Sequence, residues 1–112
     1  MSAVDDVHHE FTEAVTMAPK ELEDWLDTDE SKAAGQKAGP ASESTGHASG
    51  RRIVQILRTK KADLTEDDAA HMRQVVGYVR RHSAQRPDKS AEELEHARWT
   101  ASLKNWGHDP LA

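Results

Sequence analysis

The chain has 112 residues, a formal net charge of −5, 36% hydrophobic residues and 4% aromatic residues. That limits it to one domain (1–112) with a thin core, in which Trp25, Trp99 and Trp106 carry much of the apolar burial. It contains no cysteine, which excludes disulfide frameworks and thiolate chemistry, and no apolar run approaches the ~20 residues of a membrane span.

The first helix is expected over 3–15, where Val4, Val7, Phe11, Ala14 and Val15 recur at three- and four-residue steps. The acidic stretch that opens it has no apolar segment of the kind a signal peptide needs, so the cytoplasm is the expected setting. A second helix is expected over 19–27, opened by Pro19, whose missing N–H costs nothing at that position. It presents Leu22, Trp25 and Leu26 to the core, although Ala18 is a poor N-cap. From Ala33 to Gly50 the pattern gives way to Ala, Gly, Ser and one Pro. Residues 33–50 therefore read as a loop or flexible link, with Gly35, Gly39, Gly46 and Gly50 as helix breakers.

A third helix is expected over 50–61 with Ser49 as its N-cap. Thr65 and Asp68 then form a capping box for a fourth helix over 66–85, with Leu64 placed as a hydrophobic staple and Pro87 as the stop. Ser90 and Glu93 form a second box, opening a fifth helix over 91–106 that Gly107 closes. Period-two alternation of β-branched and aromatic residues is absent. The expectation is an all-α bundle of about five helices, with the third and fourth forming a central antiparallel hairpin.

Four stretches of the chain, Met17–Leu26, Gly46–Val54, His71–Val79 with Arg81 and His82, and Asn105–Pro110, resemble the small bacterial and fungal family catalogued as domain of unknown function 3140. The resemblance spans nearly the whole chain; Ala18 departs from the capping Thr that the family pattern would place there. Members are often labelled DNA-binding, so the resemblance implies a DNA-binding role without giving any residue a part in it.

Charge is unevenly distributed. Residues 1–50 carry 3 Lys/Arg against 11 Asp/Glu, residues 51–89 carry 10 against 5, and residues 90–112 carry 2 against 4. Either the basic middle is neutralised by the acidic front, or it faces an anionic partner. The candidate anion site is Ser49-Gly50-Arg51-Arg52, where a helix start would offer backbone N–H groups and two guanidinium groups. In an antiparallel hairpin, Arg80, Arg81 and Arg86 would approach that start, with Lys60 and Lys61 as further neighbours. The alternative is that Ser49 only caps a helix and the arginines pair with carboxylates. A conventional helix-turn-helix docking is rejected, because the fourth helix opens on Glu66-Asp67-Asp68, which would face phosphates.

His71 and His82 share a helix face but stand roughly 16 Å apart along its axis, too far to hold one metal ion. No nucleophile elbow or phosphate-cradling loop frames a catalytic group. No metal, cofactor or enzymatic activity is expected. Trp99 and Trp106 can serve as core or as stacking platforms for bases, with core favoured at their helical spacing. The leading expectation is a nucleic-acid-binding accessory protein, DNA favoured, making phosphate-backbone contacts with weak sequence specificity. The alternatives are a protein-interaction module that docks a partner through its acidic first half, and self-association that completes a thin core.

Overall fold

Apolar residues at helical spacing account for the first packed layer. In the computed structural model, which describes residues 3–34 and 45–111, α1 (Ala3–Ala14) buries Val4, Val7 and Phe11 and lies along α5 (Glu66–Ala84), which buries Ala69, Met72, Val75, Val76 and Val79. α2 (Pro19–Leu26) buries Leu22 and Leu26 and lies along α4 (Thr45–Leu57). α7 (Arg98–Asn105) closes the bundle against α2, α3 (Asp29–Ala33), α4 and α5. A 3₁₀ turn (Lys61–Asp63) and α6 (Ala91–Leu94) complete the described elements, and no strand occurs among the described residues. The fold is an all-α bundle, as its patterning predicts.

The helix starts follow local chemistry. The Thr65 hydroxyl accepts from Asp68 N while the Asp68 carboxylate accepts from Thr65 N, which completes the expected capping box. Ser90 and Glu93 do the same for α6. At α2 the Ala18 side chain caps nothing, but the Glu21 carboxylate accepts from Ala18 N and supplies half of a box. Gly107 adopts φ +81°. His108 N then donates to Leu103 O and Gly107 N to Lys104 O, a Schellman closure that only a left-handed residue permits at low cost.

Several boundaries differ from expectation, among them the end of α4 at Leu57 instead of 61. α4 already runs from Thr45, so Ser49 and Gly50 are interior helical residues and Ser49 is not an N-cap. Gly46 and Gly50, read as helix breakers, are helical because they face crowded neighbours. A Cβ on Gly46 would meet Trp106 Nε1 at 3.2 Å, and one on Gly50 would meet Asn105 O at 2.5 Å. Close approach of helices outweighs the ~1 kcal/mol propensity cost of glycine. The expected 33–50 loop thus loses both ends to helices, and residues 35–44 lie outside the described residues. α3 was not expected at all; it is capped by the Thr28 hydroxyl accepting from Ser31 N. The expected fifth helix is split at Glu95–Ala97 into α6 and α7, and the Thr100 hydroxyl donates to Leu94 O across the break.

α4 and α5 run antiparallel, since Arg52 pairs with Asp68 and Ser49 with His71. They meet through these side chains, whereas the close backbone pairings are α1 with α5 and α2 with α4. The α2, α3 and α7 segments are tied by Asn105, whose side chain is fully buried. Its Oδ1 accepts from Trp25 Nε1 at 2.8 Å and from the Ser31 hydroxyl, and its Nδ2 donates to Ser31 O at 3.0 Å.

Candidate functional site

The basic residues fall into two groups at opposite ends of α5. At the N-terminal end, Arg52 lies 3.3 Å from Asp68, Lys61 lies 3.3 Å from Asp5 and, on the same side of the bundle, Arg58 lies 2.8 Å from Glu23. Here the acidic front half of the sequence does meet the basic middle. Arg51 projects from α4 into a groove it shares with Glu23, Asp27 and Arg58, so the adjacent Arg51 and Arg52 diverge. Ser49 and Gly50 are buried. Ser49 Oγ is occupied by His71 Nε2 at 2.9 Å. The four-residue anion site expected at 49–52 is therefore not assembled: its backbone N–H groups lie inside a helix that starts at Thr45, and its side chains point to different partners.

The other group lies at the C-terminal end of α5, about 20 Å from Asp68 by helical rise. From Ala69 to Pro87 the sequence holds four Arg (73, 80, 81 and 86) and no Asp or Glu. Among the described residues, no carboxylate lies within ion-pair distance of Arg73, Arg81 or Arg86. Arg80 faces Glu10 at 3.9 Å, with both side chains largely exposed. Arg86 sits over the Trp99 ring at 5.8 Å from its centroid, within cation–π range. Of the expected cluster, Arg80, Arg81 and Arg86 thus share one end of the fold, while Arg51, Arg52, Lys60 and Lys61 do not join them.

Arg81 lines a cleft of about 490 Å³ between the first turn of α4, the last turns of α5, and α7. Arg98 of α7 also lines it, and no Asp or Glu among the described residues does. The cleft was not foreseen from sequence, because its walls come from residues 45, 81 and 98. The available signal was the carboxylate-free run of α5.

Four rings stack along one side of this region. Tyr78 lies between His82 (centroids 3.9 Å apart) and Trp106 (4.2 Å), and Trp106 in turn faces His71 at 6.2 Å, with interplanar angles of 12–17°. Trp106 is 4% exposed and Tyr78 is covered on both faces, so neither ring offers a platform to a base. Trp106 belongs to the core. Trp99 is half-buried and its Nε1 donates to His82 O at 2.7 Å. His71 and His82 occupy opposite ends of the stack, in keeping with their separation along α5.

Burial holds His71 below its ordinary value of 6.5, and the Arg52 guanidinium adds to the effect; the hydrogen bond with Ser49 and the Asp68 charge oppose it. As pH falls through 6.5 the unfolded chain takes up a proton that the folded chain resists, so stability falls with pH in that window. Melting at pH 7.5 and 5.5 should show a lower Tm at the acid value, and His71→Gln should shrink the difference. An unchanged difference would contradict the assignment. Asp68 acts in a separate window. The Thr65 backbone hydrogen bond, more than Arg52, lowers its pKa from 3.8. Its contribution is present above that value and lost only as pH falls below it. Burial raises the Tyr78 pKa above 10.0 and keeps the phenol neutral.

No helix among the described residues is long and apolar enough to cross a membrane. No curated protein and no solved structure matches the chain. The match that exists covers residues 10–104, nearly all of the bundle and both groups of arginines, and by it the chain belongs to the family described as "Protein of unknown function (DUF3140)".

Proposed function

We propose that the protein is a non-catalytic accessory factor that binds nucleic acid, DNA foremost, through phosphate-backbone contacts with weak sequence specificity. The contact surface is the C-terminal end of α5 with the start of α7, not the start of α4. One observation carries this reading: Arg81 and Arg86 stand at an end of the fold where 19 consecutive residues, Ala69 to Pro87, supply no carboxylate. Guanidinium groups in such a setting suit a polyanion, and binding to backbone phosphates asks for no base readout. The Arg80–Glu10 pair does not oppose it, because an exposed pair contributes only ~0–1 kcal/mol and a phosphate competes for the same guanidinium. A cytoplasmic setting accords with this role.

The docking of a protein partner by the acidic first half has less support. Asp5, Glu10 and Glu23 already face basic residues of the same chain.

The test is fluorescence anisotropy with duplex and single-stranded DNA at about 50 and 200 mM salt, a range over which phosphate contacts weaken steeply. The double variant Arg81→Glu/Arg86→Glu should bind at least about tenfold more weakly than wild type. Arg52→Ala and Lys61→Ala, at the neutralised end, should change affinity less than about threefold. Salt-independent or absent wild-type binding would overturn the proposal, as would equal losses at both ends.

A further inference from the structure

We infer that the cleft between α4, α5 and α7 is a subsite for a terminal phosphate monoester, as carried by a nucleotide or by the phosphorylated end of a nucleic-acid strand. The inference rests on the nucleic-acid reading for its biological ligand, but on separate geometry for its chemistry.

Two features of the cleft converge, its size and its charge. Its volume of about 490 Å³ falls within the ~300–1,000 Å³ of small-molecule sites and suits a mononucleotide, while a duplex backbone would pass over it. Among the described residues, its charged side chains are two guanidinium groups, Arg81 from α5 and Arg98 from α7, on different helices, and none that lines it is acidic. A dianionic phosphate monoester presents several oxygens to such a pair, where a backbone diester carries one charge. His82 also lines the cleft. Its Nδ1 is buried and, among the described residues, has no hydrogen-bond partner.

The neighbouring polar groups add hydrogen-bonding capacity without adding negative charge. Thr45 and Ser102 line the same space, as does Tyr78, whose pKa burial raises.

The experiment is a calorimetric titration of the full chain with five probes: inorganic phosphate, adenosine 5′-monophosphate, adenosine, and a short single strand in 5′-phosphate and in 5′-hydroxyl form. The monophosphate should bind and adenosine should not. The 5′-phosphorylated strand should bind several-fold more tightly than its 5′-hydroxyl counterpart. Inorganic phosphate binding as tightly as the monophosphate would identify free phosphate as the source instead of a nucleotide, and overturn the nucleotide assignment. Arg81→Ala and Arg98→Ala should each weaken the monophosphate about tenfold, whereas Arg73→Ala, outside the cleft, should leave it unchanged. Thermal melting of each variant checks that it is folded. Equal affinity for the two strands overturns the subsite while leaving backbone binding intact. Binding of the monophosphate with no affinity for either strand overturns the nucleic-acid reading and retains the cleft. Absence of all monophosphate binding overturns the inference.

Discussion

Asn105→Leu should destabilise the protein by about 3 kcal/mol, the largest loss expected from a single side chain outside the apolar core. The side chain is fully buried and holds α2, α3 and α7 together through Trp25 Nε1, the Ser31 hydroxyl and Ser31 O. Leucine matches asparagine in size but leaves two donors and an acceptor without partners, at about 1–3 kcal/mol for each buried group. Trp25 is only partly buried, so water rescues part of its N–H, which keeps the total near the lower end. Leucine's better helix propensity returns a few tenths of a kcal/mol. Urea denaturation should show the midpoint fall with little change in slope. Ser31→Ala should cost less, because it removes one partner and keeps the amide. A loss below about 1 kcal/mol for Asn105→Leu would mean that this network does not hold the three helices.

Gly50→Ala and Gly77→Ala should have opposite signs. Both glycines are helical, and alanine is intrinsically favoured there by about 1 kcal/mol. At Gly50 the new Cβ would lie 2.5 Å from Asn105 O and 2.7 Å from Leu26 Cδ2. A backbone carbonyl cannot swing aside, so α4 must separate from α7. The overlap should outweigh the propensity gain and give a net loss of about 2 kcal/mol. At Gly77 the only near atom is an Arg81 guanidinium nitrogen at 3.2 Å, the far end of a flexible side chain that can move. There the substitution should stabilise by up to about 1 kcal/mol. Equilibrium unfolding of the two variants decides the matter, and losses of similar size at both sites would contradict the packing of α4 on α7.

What could be read in the sequence was whatever short-range chemistry fixes. The Val4–Val7–Phe11 face of α1, the Thr65–Asp68 and Ser90–Glu93 boxes and the Gly107 turn depend on residues within one or two helical turns, and all occur as expected. The family resemblance was legible for the same reason, being carried by contiguous stretches. Features that failed depend on contacts between distant segments. Gly46 and Gly50 look like breakers until Trp106 and Asn105 are seen against them, and that misreading moved the helix start and created a false N-cap at Ser49. The break between α6 and α7 rests on a Thr100–Leu94 bond across Glu95–Ala97, which no periodicity encodes. Charge asymmetry raised two possibilities, neutralisation or exposure. The structure divides them along α5: carboxylates meet the basic residues at its N-terminal end, and among the described residues none lies within ion-pair distance of Arg81 or Arg86 at the other.

Chemical-shift mapping of the labelled protein with a short DNA duplex at low salt addresses the location of this surface most directly. Backbone amides of residues 78–86 and the first turn of α7 should shift most, and the shifts should collapse on raising the salt. Perturbations centred on residues 51–61, or none at all, would contradict a polyanion-binding role for the C-terminal end of α5.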